Sequence, residues 1–301
     1  MTNLNRLGLS LGTVLLGTLC SAQQSRPAFA GWIRNSSCSV LIRRQAGGKP
    51  ASLSALQAKA YRLYAGQAVK VLGAGVAHLL IYGHEMPLKL QSGWYAVPTD
   101  ADKAPRGQDV YLKFTSRAGL PRGEMPKPER VWQAISLMDL INPSPASKVK
   151  IRGRVVRDAP ADRDLMMPLT LRRGDHFWFE VANDGDAPVY VSVIDIDCSA
   201  AVDLAVPQNR VGAHSGWKRC GEMMSADVPI GFKEGIERFR FIATTNPVDL
   251  SSLAAPIGQN PDVDFVPTDD PLQNFIRLSS GRRATGLSDW GVAPFECLIK
   301  R

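Results

Sequence analysis

Signatures of catalysis and metal binding are scarce in this sequence. Its four histidines, His78, His84, His176 and His214, are scattered with no H-x-x-x-H spacing, and no two cysteines form a C-x-x-C pair. Closed zinc sites need such spacings, so none is expected. There is no phosphate loop, no G-x-S-x-G elbow and no dinucleotide fingerprint, which leaves nucleotide-driven and serine-hydrolase chemistry without a seat. Asp184 with Asp186, and Asp262, Asp264, Asp269 and Asp270, offer oxygens to a cation, but the ordered loop spacing of calcium motifs is missing. The latter four read as part of a solvated, acidic, proline-rich loop over 255–275. No metal and no cofactor is expected. Internal repeats and low-complexity tracts are also lacking, and beyond the first 30 residues no apolar run is long enough to span a bilayer.

What is present begins at the N-terminus. Arg6 is the only charge ahead of the apolar run Leu7–Leu19, and the small-residue triplet Ala28-Phe29-Ala30 follows. This is the layout of a secretory signal peptide over residues 1–30, with cleavage after Ala22 as a second option. Cys20 raises the question of a lipid anchor, but Leu19 stands where a lipoprotein signal carries a small residue. The expected location is periplasmic or secreted. Four cysteines then remain, an even count that suits two disulfides in an exported chain. Three pairings are open. Cys198 with Cys220 is favoured as the nearest pair within one expected domain, which leaves Cys38 with Cys297.

Charge divides the chain. Residues 31–157 carry 20 Lys or Arg against 7 Asp or Glu, a balance of +13, while residues 158–301 carry 14 against 21, a balance of −7. Opposite halves suggest two units with different partners, or halves that attract one another. Short apolar runs of period two, at Ala68–Leu72, Val76–Tyr82, Leu88–Leu90, Trp94–Val97 and Val110–Phe114, are punctuated by glycines and predict a small β barrel or sandwich over 31–115, preceded by a strand at 36–44 and a helix-permissive stretch near Leu53–Leu63. A Pro- and Gly-rich linker over 116–147 contains one helix from Pro128 to about Leu140, with Val131, Ala134, Ile135 and Met138 on one apolar face. Strands at Lys148–Arg157, Thr170–Val181, Val189–Asp195, Val202–Val206, Glu237–Thr244 and Gly291–Ile299 predict a larger antiparallel β-sandwich over 148–301. Asn183-Asp184-Gly185 reads as a hairpin turn within it. The fold class is therefore mainly β, with two β domains and one linking helix.

Gly174-Asp175 before a strand, Pro188–Val191 leading into the next, the acidic pair Asp195/Asp197, and Pro207 with Asn209 follow one another over 174–209. With FRFIATTNPVDLSSL (239–253) and SDWGVAPFECLI (288–299), this order resembles an uncharacterised β-sandwich domain. That domain follows the peptidase in many bacterial caspase-like proteins and also occurs in bacterial envelope proteins. The resemblance covers about residues 150–300. It implies a fold and an accessory role and brings no catalytic residues with it.

A competing resemblance is to the caspase-like peptidase itself. Tyr82-Gly83-His84, followed by WYAVPTDAD (94–102), echoes the surroundings of that family's catalytic histidine, and Cys198 follows a strand and an acidic pair. Glu85 departs from the family's glycine, and Cys198 lies inside the sandwich pattern, so His84 and Cys198 are catalytic candidates only under a residual or degenerate cysteine-peptidase reading. The remaining candidate is KVKIRGRVVR (148–157). On a strand, Lys148, Lys150, Arg152 and Arg154 line one face, either as an anion-binding stripe or as a solvated edge. The favoured expectation is a non-catalytic binding or scaffolding protein of the bacterial envelope. Its partner would be an unknown protein or an anionic envelope component, with membrane-surface contact possible and nucleic acid not expected. A structural subunit of an envelope assembly is the second alternative.

Overall fold

The computed structural model describes residues 27–45, 47–100, 103, 108–109, 128–142, 148–156, 169–228, 234–255, 267–280, 287 and 289–300. The expected strand at 110–114, residues 116–127 and 143–147 of the expected 116–147 linker, and Asp262 and Asp264 lie outside them. The protein is mainly β, as its alternating patterns predict.

The first β unit comprises β1 (Phe29–Ser36), β2 (Val40–Arg43), β3 (Ala51–Leu53), the short helix α1 (Ala55–Ala58), β4 (Arg62–Tyr64), β5 (Ala68–Val71), β6 (Val76–Ile81), β7 (His84–Lys89), β8 (Tyr95–Ala96) and β9 (Gln108–Asp109). They form sheets of order β4-β1-β6-β7-β9 and β3-β2-β5-β8. Period-two burial explains the packing: Val40 and Ile42 of β2, Val69 and Val71 of β5, and Leu79 and Ile81 of β6 share one core with Ile33. Helix α1 is short but fully capped. Ser54 accepts from the Gln57 amide, and the Gln57 side chain accepts from the Ser54 amide in return.

Strand β1 is buried on both sides. Trp32 and Leu80 face away from the first core, toward a helical layer. Gly31 is obligatory here, because a Cβ at that position would lie 1.8 Å from the Leu80 carbonyl oxygen. Phe29 and Ala30 belong to this strand, and the Ala28 carbonyl accepts from the Ala65 amide at 2.8 Å. Cleavage after Ala30 removes that pairing and the Phe29 ring, which packs on Trp32, Tyr64 and Trp132. Cleavage after Ala22 leaves the strand whole.

Helix α2 (Pro128–Met138) has more than the one apolar face its sequence suggests. Val131 through Leu137 are all buried, including the polar Gln133 and Ser136. Gln133 is accommodated because its Nε2 donates to the carbonyls of Leu253 and Ala255. Two further helices, α3 (Ser251–Ala254) and α4 (Pro271–Ser280), complete the layer, and Trp132 stacks on Phe275 at 5.2 Å. Residues 271–275, expected within a loop, are thus helical. Asp270 starts α4 by accepting from the Gln273 amide.

The second β unit contains β10 (Val149–Val156), β11 (Leu169–Arg172), β12 (His176–Asn183), β13 (Val189–Ile196), β14 (Val202–Val211), β15 (Ser215–Ser225), β16 (Glu234–Thr244) and β17 (Trp290–Lys300). Its two sheets, β10-β12-β15 and β11-β17-β16-β13-β14, face each other across a phenylalanine core. Phe179 sits at its centre, 4.8 Å from Phe239, 4.9 Å from Phe241 and 5.2 Å from Phe295, all edge-on.

Three expectations change. The single strand expected at 170–181 is two, broken by a turn with Gly174 at φ 88°, and the halves enter different sheets. The sandwich is not wholly antiparallel, because β11 runs parallel to β17. Asn183-Asp184-Gly185 is not a hairpin turn: β12 pairs with β10 and β15, while β13 pairs with β14 and β16. The motif carries the chain from one sheet to the other. Asn183 fixes the crossing, its carboxamide accepting from the Gly185 amide and donating to the carbonyls of Ala187 and Gly212.

Candidate functional site

The outward face of the β10-β12-β15 sheet gathers the most distinctive surface chemistry among the described residues. On β10, Gly153 points inward against Leu169 and Phe295, where a Cβ would meet their side chains at 3.0 and 3.1 Å. The alternation therefore turns Lys150, Arg152 and Arg154 outward. On β12, Phe177, Phe179 and Val181 point inward, which leaves Trp178 and Glu180 outside. The register places Arg152, Glu180 and Arg219 in one row across the three strands.

Glu180 organises that row. Its Oε2 accepts from Arg152 Nε at 2.7 Å and from Arg154 Nε at 3.1 Å. Burial alone would raise its carboxyl, but the two arginine hydrogen bonds outweigh it and hold it below the usual glutamate range. The guanidinium of Arg152 lies 4.3 Å over the Trp217 ring, and that of Arg219 lies 5.6 Å over Trp178. Lys150 is ion-paired with Asp184 at 2.6 Å, and Lys148 sits exposed just before the strand.

Of the four expected basic residues, Lys150, Arg152 and Arg154 share this face, and Arg152 and Arg154 are tied to a half-buried carboxylate. The sequence reading missed Trp178, Glu180, Trp217 and Arg219. Trp178 and Glu180 were readable as the outward positions of an alternating strand. Trp217 and Arg219 were not, because β15 has no apolar alternation and buries only Cys220.

A second cluster lies at one end of the phenylalanine core. Asp195 and Glu237 continue the inward faces of β13 and β16 and are hydrogen-bonded to one another. Asp195 keeps part of its surface at the rim, but its Oδ1 and the Oε2 of Glu237 are sealed from water and find no donor outside the pair. Both carboxyls are pushed far up. Burial is the main cause for each, and Asp197 adds to both, with Asp203 acting on Asp195. Such a pair holds a proton in place of a second charge.

Cys198 and Cys297 stand beside this pair. Burial, then Glu237 and Asp197, pushes the Cys198 thiol up to about 12, and burial with Asp195 and Glu237 raises Cys297 as well. An activated nucleophile is shifted in the opposite direction. His84 opens β7 in the first β unit, and its Nδ1 is buried without a hydrogen-bond partner. The fold puts His84 and Cys198 in different β units that pack on different cores.

The expected disulfides are not formed, and all four described cysteines are free thiols. Cys38 lies against Gly75 in the first unit, while Cys297 sits between Leu169 and Glu237 in the second. Cys198 occupies the turn after β13 beside Gly235, and Cys220 faces inward from β15 with a thiol hydrogen-bonded to Asn209 and raised by burial to about 11. Neither expected pair is brought together, since Cys38 and Cys297 belong to different β units and Cys198 and Cys220 to a turn and a strand of different sheets, and a bridge needs close, convergent Cβ atoms.

Among the described residues, no group of three His, Cys, Asp or Glu side chains is arranged to hold a metal. Asp186 pairs with His214 at 3.1 Å, and Asp269 accepts from the Ser54 hydroxyl. No helix among the described residues is long and apolar enough to cross a membrane. No protein-family model matches the chain, and no curated protein matches it.

Proposed function

We propose that this chain is an exported, non-catalytic binding or scaffolding protein of the bacterial envelope, and that its contact surface is the outward face of β10, β12 and β15. The observation that carries this reading is the row of Arg152, Glu180 and Arg219 flanked by Trp178 and Trp217. Cationic side chains held over aromatic rings on one sheet face offer charge and stacking surface together. Lys148 and Lys150 add exposed positive charge at its margins. The leader-like N-terminus and the resemblance of 150–300 to an accessory sandwich domain support the same reading. A buried Cys198 thiol held in its neutral form supports an accessory role over a cysteine-peptidase one.

The test is co-sedimentation of the purified chain with bacterial envelope fractions across a salt series. Binding at low salt that weakens as salt rises is expected, because exposed charges are screened within a Debye length. The double variant Lys148→Glu, Lys150→Glu reverses exposed charge without disturbing Glu180 and is expected to reduce binding. Binding that ignores both salt and these substitutions overturns the assignment of the surface.

A further inference from the structure

We infer that the ligand class of this face is an acidic polysaccharide, with carboxylate or phosphate groups on its sugars. The inference rests on the binding role proposed above and narrows it.

The geometry is that of a linear platform. Trp178 precedes Glu180 by two residues on β12, and Trp217 precedes Arg219 by two residues on the antiparallel β15. The two indoles therefore flank the Arg152–Glu180–Arg219 row on opposite sides. About four residues of strand rise separate them, roughly 13 Å, a span of successive sugar units rather than of one small molecule. Trp217 is 40% exposed, and Val156 and Met223 add exposed apolar surface on the same sheet.

The chemistry fits the same class. A pyranose ring presents a flat face of C–H groups to an indole and hydroxyls at its edge. Guanidinium forks match carboxylate and phosphate oxygens. The Glu180 carboxylate, kept ionised at the centre of the row, accepts hydrogen bonds from hydroxyls. A lipid surface meets that carboxylate mainly with phosphates, which it repels, whereas an acidic sugar chain can turn hydroxyls to it and its anionic groups to the guanidiniums. The tryptophans carry guanidiniums on their rings, which opposes insertion into hydrocarbon.

The experiment titrates the purified chain, by calorimetry and tryptophan fluorescence, with polygalacturonate, a phosphomannan, neutral dextran and phosphatidylglycerol vesicles. Binding to polygalacturonate or phosphomannan but not dextran is expected. Trp217→Ala is expected to weaken that binding about tenfold, which corresponds to about 1.4 kcal/mol, with an unchanged circular dichroism spectrum. Glu180→Gln is the second variant, and it is expected to weaken polysaccharide binding while leaving any vesicle binding equal or stronger. Vesicle binding without polysaccharide binding overturns the inference and leaves the surface's binding role standing. Equal binding to dextran, or a Trp217→Ala variant that binds like the parent, also overturns it. Binding to none of the four probes, together with no envelope co-sedimentation, removes both.

Discussion

Strand β16 sends Glu237, Phe239 and Phe241 to one side of its sheet and Arg238, Arg240 and Ile242 to the other. Each side buries charge, and the two solutions differ. On the sandwich side, Glu237 meets Asp195, and the pair keeps a proton. On the helical side, a guanidinium has no accessible neutral form, so Arg240 is met by oxygen. Its Nε donates to the Leu137 carbonyl at 3.2 Å and its Nη2 to Met138 at 3.0 Å. These are carbonyls of the last turn of α2, which carry the negative end of its dipole and have at most the Leu140 amide, bonded to Leu137, as a backbone partner. Burial still lowers the Arg240 pKa, yet the site is built for the cation. One strand thus shows that a fold can bury a carboxylate by neutralising it and a guanidinium only by solvating it.

The apolar parts of the two faces set the scale. Removing the ring at the centre of the sandwich, Phe179→Ala, leaves four edge-on phenylalanine contacts open. A loss of about 3–5 kcal/mol is expected, read from urea unfolding midpoints at constant slope. A loss below about 1 kcal/mol would mean that the sandwich core can collapse around the gap and that the helical face dominates stability. Arg240→Met sharpens the comparison at lower cost. It leaves the Met138 carbonyl open and strips one bond from the Leu137 carbonyl, which keeps the Leu140 amide, but also relieves a buried charge, so about 1–3 kcal/mol is expected. An unchanged or increased stability would show that water reaches those carbonyls and that Arg240 is not what seats α2 on the sheet.

The same helix also ties in the first β unit, which gives the charge asymmetry of the sequence a concrete form. Arg34 bridges Asp139 at 3.0 Å and Glu85 at 3.4 Å, Lys59 donates to the Asp139 carbonyl, and Arg62 donates to the Leu278 carbonyl at 3.2 Å while lying over Trp132. Part of the positive excess of the first half is spent on the helical layer rather than on solvent.

How much of this could be read beforehand follows from where each signal lives. Strands β5, β6, β13 and β16 were legible because one or both faces bury Val, Ile, Leu or Phe at period two. Strand β15 was not, since ten of its eleven residues escape burial and its place is set by pairing with β12. Pairing partners were equally hidden. Asn183-Asp184-Gly185 has the composition of a hairpin turn, and only the tertiary arrangement makes it a crossing between sheets. At the candidate site, the basic run over 148–157 was visible as local alternation, but the row Arg152–Glu180–Arg219 joins three strands and is a property of register. Cysteine count predicted disulfides, while the fold uses Cys198, Cys220 and Cys297 as small buried groups. Helix α4 was masked by the acidic, proline-rich stretch before it, although Pro271 sits at the first helical position, where proline is favoured.

The finest division between the two faces is a matter of pH. Asp195 and Glu237 both titrate above the ordinary carboxyl range, so the folded state retains a proton that the unfolded chain releases. Where the folded state binds more protons, stability falls as pH rises. The stabilising contribution is complete below about pH 4, the ordinary carboxyl value, and is lost progressively as pH climbs through the raised values of the pair. Asp197 and Asp203 keep the pressure upward, Arg238 opposes it at Glu237, and the Cys198 and Cys297 thiols respond only in alkali. Glu237→Gln keeps the size and one hydrogen bond but removes one titrating group and its repulsion of Asp195. At acid pH it is expected to change stability by less than about 1 kcal/mol; toward neutral and alkaline pH it is expected to flatten the decline. Urea midpoints measured from pH 4.5 to 9 for both proteins make the comparison. If the parent's midpoint does not fall over that range, or if Glu237→Gln falls in parallel with it, the sandwich face does not hold a proton, and its carboxyls must be met by water or a cation instead.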